Sequence, residues 1–120
     1  MNDDRPILHI AMPEDWAGAF TFGEYRVSTR GMSLDEVGFI HCSTIDQVED
    51  TANRFYGDVT ELVLLTIDPL VVPSPIRWEP PSPGAPELFP HIYGPLPIAA
   101  VNLSTFWMRT GEEWQLPDGG

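Results

Sequence analysis

Short apolar runs along the chain predict strands, because most of them span four to six residues and are bounded by turn-forming residues. The run at residues 62–67 is continuous and predicts a central strand that is buried on both faces. The remaining strands are predicted by shorter or alternating runs, near residues 7–11, 25–28, 39–41, 76–79 and 98–107.

One stretch has clear helical spacing. Apolar residues recur every three or four positions over residues 45–56, which predicts an amphipathic helix. Ser43 or Thr44 would cap this helix, since Asp46 or Gln47 follows three residues later. The predicted helix therefore begins at Ser43 or Thr44 and ends at about residue 55.

A second, shorter helix is predicted near the start of the chain. Pro13 suits a first helical turn, and Gly23 suits the residue that follows the last turn. Trp16, Ala19 and Phe20 would form its buried face. With the strands, the two helices predict a single α+β domain over residues 1–120, with a split, mostly antiparallel sheet.

Two segments fit neither a helix nor an inner strand. Residues 80–86 contain four prolines and one glycine, so they predict an exposed loop. The last segment contains Trp114 and Leu116, and we expect it to fold back onto the domain, because solvent exposure of both side chains would be unfavourable.

Composition limits the classes of partner. The 120 residues carry a formal net charge of −12, and all six cations are arginine. Such an acidic surface argues against binding to nucleic acids or anionic membranes. The acidic start of the chain is not followed by an apolar segment, which predicts no signal peptide; with no run of membrane-spanning length, we expect a cytoplasmic protein.

The three histidines share an unusual setting, because His9, His41 and His91 all lie among apolar neighbours. A single histidine of this kind is most often a buried residue that bonds a backbone carbonyl. Three of them, in separate segments, instead predict convergence on one cleft. Tyr93 would lie beside them.

Two catalytic or metal chemistries are open to these residues. The histidines could form a three-histidine zinc site with Cys42 as a fourth ligand, although none of their spacings matches a helix or hairpin metal motif. Cys42 could alternatively be a nucleophile with a histidine base. Strand alternation opposes this, since it turns Cys42 into the core when His41 faces the cleft.

Ligand binding by neutral histidines and aromatic rings is a third possibility. A histidine can bond ribose hydroxyls or a carboxamide, while Tyr93 or Phe39 stacks on a heterocycle. One of four arginines could hold a pyrophosphate, although most surface arginines are only solvated; the four are Arg26, Arg30, Arg54 and Arg77. A non-catalytic interaction module is a further alternative, using Trp78, Phe89 and residues 80–86 as an apolar patch.

Motifs across nearly the whole chain resemble a family of small bacterial proteins known as domain of unknown function 952. The motifs are Leu8-His9-Ile10-Ala11, Gly38-Phe39-Ile40-His41-Cys42-Ser43-Thr44, Leu64-Leu65-Thr66-Ile67-Asp68, Trp78-Glu79 and Phe89-Pro90-His91-Ile92-Tyr93-Gly94-Pro95-Leu96. This resemblance implies no particular activity.

The order of the motifs is also similar, more distantly, to the catalytic lobe of RNA 2′-phosphotransferases, which have the ADP-ribosyltransferase fold. This resemblance implies an ADP-ribosyltransferase-like lobe in which His9 and His41 line an NAD pocket and Ser43 lies near the ribose. It also matches Arg54 to a catalytic arginine and places His91 near the family's third motif.

These observations lead to one functional hypothesis. The chain would bind NAD or an ADP-ribose-like nucleotide, and would transfer or hydrolyse its glycosyl group. We assign His41, His91 and Tyr93 to catalysis, and His9, His41, Ser43 and Arg54 to the cofactor, with no metal.

Overall fold

Ten short strands, joined by helices, turns and loops, make up the fold of the computed structural model, which describes residues 5–117. In chain order they are β1 Ile7–Ala11, β2 Glu24–Tyr25, β3 Val27–Thr29, β4 Met32–Ser33, β5 Ile40–His41, β6 Glu61–Ile67, β7 Ile76–Glu79, β8 Phe89–Ile92, β9 Leu96–Pro97 and β10 Val101–Met108. Every strand pair is antiparallel, so the α+β class and the antiparallel pairing are confirmed.

The helices lie between the strands. They are α1 Pro13–Phe22, α2 Leu34–Val37 and α3 Val48–Phe55, with short 3-10 turns at Pro69–Val71 and Ile98–Ala100. Ser33 and Glu36 cap α2 reciprocally, since the Ser33 hydroxyl accepts from the Glu36 N–H and the Glu36 carboxylate accepts from the Ser33 N–H.

The first sheet has the strand order β1-β6-β10, with the continuous apolar strand β6 in its centre. Ile7 lies opposite Ile67, and Trp107 lies opposite Leu62. Because β6 is covered on both faces, five of its seven residues are buried.

The second sheet has the order β5-β8-β7. Ile40, Ile92 and Ile76 are aligned across its three strands and belong to the apolar core between the two sheets. His41, His91 and Arg77 are the next aligned row. Successive residues of a strand point to opposite faces, so this row projects away from that core.

The two sheets meet just after β5. The N–H of Leu8 donates to the Ser43 carbonyl at 2.8 Å, and the N–H of Ser43 donates to the Leu8 carbonyl at 2.7 Å. The neighbouring Cys42 N–H donates to the Pro90 carbonyl at 3.0 Å. Consecutive residues therefore join the backbone of the second sheet to that of the first.

This junction explains why the predicted helix begins late. Ser43 is engaged with Leu8 and cannot enter a helix, so α3 begins at Val48 and not at Ser43 or Thr44. Half of the predicted cap does form, since the Gln47 side-chain oxygen accepts from the Thr44 N–H at 3.0 Å.

The prediction for the first helix is confirmed at its ends and partly wrong on its face. Pro13 begins α1, and Gly23 follows its last residue with a φ of 82°, a left-handed conformation that glycine adopts without strain. Ala19 is buried and Trp16 is half-buried. Phe20 is 60% exposed and meets the Trp16 ring edge-to-face, so it is not a core residue.

Other expectations differ in detail. The strand predicted at residues 25–28 is divided between β2 and β3, and the strand predicted at residues 98–107 begins only at Val101, after a 3-10 turn. Residues 80–86 contain no helix or strand, as predicted. Trp114 is buried in a second core with α3 and Trp107, so the last segment does fold back.

Two predictions from the sequence concern membrane-spanning segments and a signal peptide. No helix within residues 5–117 is long and apolar enough to cross a membrane. The acidic start of the chain, residues 1–4, which predicts no signal peptide, lies outside the described residues.

Candidate functional site

Most of the polar and aromatic side chains of the second sheet project from one side, which we call the histidine face. It is the side opposite the core between the sheets, as the alignment of His41 with His91 and Arg77 requires. The residues of the histidine face are Phe39, His41, Arg77, Glu79, Phe89, His91 and Tyr93.

Four rings are in contact on this face. Phe39 stacks on His91 with ring centroids 4.2 Å apart and planes 16° from parallel. His41 meets the same His91 ring edge-on at 5.2 Å, and Phe39 lies 4.8 Å from His41 and 5.2 Å from Tyr93. The structure therefore brings together His41, His91 and Tyr93, the three residues assigned to catalysis.

Glu79 ties two of these side chains to one carboxylate oxygen. Its Oε1 accepts from the Tyr93 hydroxyl at 2.5 Å and from His91 Nδ1 at 3.0 Å. These hydrogen bonds lower the pKa of Glu79, and the bond from Tyr93 raises the pKa of the tyrosine. The carboxylate thus remains ionised at neutral pH and fixes the orientation of both rings.

His91 has one nitrogen without a partner. Because the Glu79 carboxylate only accepts, Nδ1 of His91 carries the hydrogen. Its Nε2 is buried and has no hydrogen-bond partner within the described part of the chain. An unsatisfied buried nitrogen is uncommon in folded proteins, and a catalytic role or a bound water or ion is among its explanations.

His41 is the more accessible of the two imidazoles, being half-buried while His91 is 2% exposed. Burial, with a smaller contribution from the nearby His91, lowers the pKa of His41. The ring is therefore neutral at pH 7 and offers one donor and one acceptor.

His9 does not share the face of the other two histidines, which corrects the expectation of one three-histidine cleft. It lies on β1 and is buried behind the backbone of His41, where its Nδ1 donates to the His41 carbonyl at 2.5 Å. Its Nε2 accepts from the Tyr25 hydroxyl at 2.8 Å. Burial lowers the pKa of His9 to about 4, so the ring is neutral and both nitrogens are already engaged.

The two other residues assigned to the cofactor lie elsewhere. The Ser43 hydroxyl is buried and is 3.5 Å from the Thr51 hydroxyl on α3. Arg54 is on the exposed side of α3, the helix that packs on the first sheet, with its Nε 3.7 Å from Asp50. Both belong to the α3 side of the molecule and not to the histidine face.

Cys42 lies in the core between the sheets, as the strand alternation predicts. Burial raises the pKa of its thiol, so the reactive thiolate is disfavoured. Among residues 5–117, no group of three or more His, Cys, Asp or Glu side chains is placed to hold a metal ion. The geometry therefore supports neither the nucleophile nor the zinc alternative.

Arg77 brings a cation to the histidine face. Its guanidinium lies 5.1 Å from the centre of the Tyr93 ring, and the residue is exposed. Of the four arginines considered for a pyrophosphate, Arg26 and Arg30 instead pair with carboxylates on other elements.

Glu79 is the site residue that the sequence reasoning missed. Arg77 and Glu79 are two apart on β7, and His91 and Tyr93 are two apart on and just after β8. Matching two-residue spacings on neighbouring strands place four side chains on one face. This matching two-residue spacing is the feature of the sequence that could have identified Glu79 as a site residue.

Comparisons with known proteins identify relatives by sequence and by fold. A family model described as "Protein of unknown function (DUF952)" matches residues 10–104. The crystal structure of protein CC0527 from Caulobacter crescentus is similar, with a TM-score of 0.77 and 26% identity over 91% of each chain. Its solution NMR structure has a TM-score of 0.73 and 28% identity, covering 91% of this chain and 90% of the other. A search of curated proteins finds no match.

Proposed function

We propose, from the premise that this chain belongs to the DUF952 family of proteins of unknown function, that its histidine face binds a nucleotide of the NAD or ADP-ribose class. One observation carries the proposal: His41, His91, Tyr93 and Phe39 are gathered on one side of a sheet, around the carboxylate of Glu79. The distant resemblance to an ADP-ribosyltransferase lobe points to the same class of ligand.

The chemistry of the face suits the three parts of such a nucleotide. Neutral His41 can bond ribose hydroxyls or a carboxamide, and the rings of Phe39 and Tyr93 offer apolar surface to a heterocycle. Exposed Arg77 can pair bidentately with a pyrophosphate. In a chain of net charge −12, a local cation is what an anionic ligand requires.

His9 takes a different role from the one that the resemblance implies. Both of its nitrogens are engaged, so it cannot hold ribose hydroxyls. Its Nδ1 instead donates to the backbone carbonyl of His41, and this hydrogen bond fixes the strand end that carries the His41 ring. We assign the ribose contact to His41 and a positioning role to His9.

The proposal extends to glycosyl chemistry on the same face. In hydrolysis, the bond between the ribose C1′ and the nicotinamide nitrogen breaks, and nicotinamide leaves with the electron pair. A water oxygen then bonds to C1′ and releases a proton, giving ADP-ribose. The positive charge that develops on the ribose needs a nearby anion, and Glu79 is ionised on this face.

The test is titration of the purified protein with NAD and with ADP-ribose, by calorimetry and by thermal shift. A ligand at about one hundred times its Kd stabilises a protein by about 2.7 kcal/mol, so the melting temperature should rise. We expect His41→Ala to weaken binding by at least about tenfold, corresponding to about 1.4 kcal/mol, with an unchanged far-UV spectrum. Arg54→Gln is the matched control on α3 and should bind like the parent.

Other outcomes would select other functions. If neither nucleotide binds and His41→Ala costs about 2 kcal/mol or more of stability, His41 is a structural histidine and the proposal is wrong. A melting shift with zinc alone would favour the metal alternative. No shift with any of these probes, together with a specific protein partner, would favour the interaction module.

A further inference from the structure

The last strand of the first sheet has an open edge. Within residues 5–117, strand β10 stands at the end of the order β1-β6-β10 and pairs with β6 on one side only. It has eight residues, and no other strand in residues 5–117 is as long. The N–H and C=O groups of such an edge are a ready template for another strand.

Three of the five exposed side chains of this strand are apolar. Leu103, Phe106 and Met108 are each 54–55% exposed. Phe106 and Met108 are two residues apart and share a face, opposite the face on which Trp107 is buried. The register shift between Val101 and Leu103 affects only the start of the strand, so residues 103–108 pair regularly with β6.

The edge carries no charge, although the whole chain is strongly acidic. None of the residues Val101–Met108 is ionisable, in a protein of net charge −12. Edge strands are commonly protected by charged side chains, and this one lacks that protection. Two copies of the chain could approach here without placing like charges opposite each other.

We propose that β10 pairs with β10 of a second copy of this chain, antiparallel and about a two-fold axis. The two first sheets then become one six-stranded sheet of order β1-β6-β10-β10-β6-β1. A two-fold interface uses the same patch on both subunits. Phe106 and Met108 of both copies lie on one face of the joined sheet and cover the new seam.

The oligomeric state tests the proposal directly. Sedimentation equilibrium should show a mass twice the 13.4 kDa of the chain, falling towards 13.4 kDa on dilution. The variant Phe106→Glu with Met108→Glu places four like charges along the seam and should weaken the dimer at least about tenfold. Phe22→Glu is the matched control, because Phe22 is 80% exposed on α1, outside the strand.

Two further measurements keep the test decisive. Ser104→Glu serves if the double variant fails to fold, since Ser104 is already exposed and polar on the same strand. Amide hydrogen exchange should show protection that is lost on dilution at those N–H groups of residues 103–108 that point away from β6, while the N–H groups bonded to β6 stay protected in the monomer. A mass of 13.4 kDa at every concentration up to about 1 mM, or a dimer that survives the Ser104 and Phe106 changes, would overturn the proposal.

Discussion

His9 and His91 are both 2% exposed, yet their hydrogen bonds give them different capacities. His9 donates to a carbonyl and accepts from a tyrosine, so neither nitrogen is free for a ligand. His91 uses only Nδ1, towards Glu79, and its Nε2 has no partner among residues 5–117. Of the two buried rings, only His91 retains a nitrogen for further chemistry.

The lowered pKa of His9 predicts loss of stability in acid. Below pH 6.5 the histidine takes up a proton in the unfolded chain, whereas in the folded protein it stays neutral down to about pH 4. The contribution of His9 is therefore complete above pH 6.5 and declines between pH 6.5 and 4, by about 3 kcal/mol. Urea unfolding at several pH values measures this decline.

The variant His9→Gln provides the control for that measurement. Glutamine keeps a donor and an acceptor but cannot be protonated in this range, so the difference in unfolding free energy between parent and variant should shrink as the pH falls to 4. A difference that stays constant with pH would show that His9 is not the source of the acid sensitivity.

For these histidines, the sequence did not determine the side of the strand to which each side chain points. Apolar neighbours predicted that the three histidines share one cleft, and the structure brings together His41 and His91 but not His9. Strand alternation correctly turned Cys42 into the core. The same alternation separates His9 from His41, but this depends on which face of β1 packs against the second sheet. No local pattern of a five-residue strand buried at every position reveals that.

At the scale of elements, the register between β7 and β8 creates the site. It places Arg77 opposite His91, and Glu79 within reach of both His91 and Tyr93. The Tyr93 N–H donates to the Pro75 carbonyl at 2.8 Å, which continues the pairing just beyond the strands. Residues 93–94 and residues 74–75 approach so closely here that Gly94 has no room for a side chain.

Gly94→Ala should therefore destabilise the protein. A Cβ at this position would lie 2.7 Å from the Cβ of Ser74, well inside van der Waals contact. We expect a cost of about 1–3 kcal/mol, as for other overpacked sites, measured by chemical denaturation. Gly111→Ala is the control, since an added Cβ there meets nothing within 4 Å.

A second substitution tests the cause. Ser74→Gly removes the atoms that the new methyl group would meet, so the double variant should recover most of the stability lost in Gly94→Ala. Equal losses in the single and double variants would mean that backbone conformation at residue 94, and not the contact with Ser74, limits the choice of side chain.

Local composition predicted the existence of most of the longer elements and of some of the shorter strands. Strand β6 and both ends of α1 follow from local composition, because a continuous apolar run is typical of a buried central strand and glycine is typical after a last helical turn. Strand β5 was predicted within residues 39–41 and β2 as part of residues 25–28, whereas the two-residue strands β4 and β9 were not predicted, since each is defined by the partner strand beside it. Glu79 was not identified from the sequence, because residues 80–88 separate β7 from β8 and the sequence does not determine the register between the two strands.

On the scale of the whole molecule, the first sheet has an apolar core on each side. One core lies between the two sheets, and the other lies under α3 and is closed by the last described segment. Trp114 is 1% exposed there and meets Trp107 edge-on at 4.9 Å. Its indole N–H donates to the Tyr56 carbonyl at 2.8 Å, so the segment is part of the fold.

Trp114→Ala should accordingly destabilise the domain by about 3–5 kcal/mol, the usual cost of removing a buried tryptophan. The loss combines the burial of the ring with the hydrogen bond to Tyr56. Thermal or chemical unfolding measures it, with Gln115→Ala as the neighbouring control at an exposed position. Stability within about 0.5 kcal/mol of the parent would show that this segment only rests on the core.

The junction of the two sheets has a consequence for how the molecule loses its structure. Within three residues the backbone bonds to Pro90 on the second sheet and to Leu8 on the first, while His9 holds the carbonyl of His41. Fraying of either sheet removes hydrogen bonds that support the other. We therefore expect melting to be a single cooperative transition, with both sheets in one folding unit.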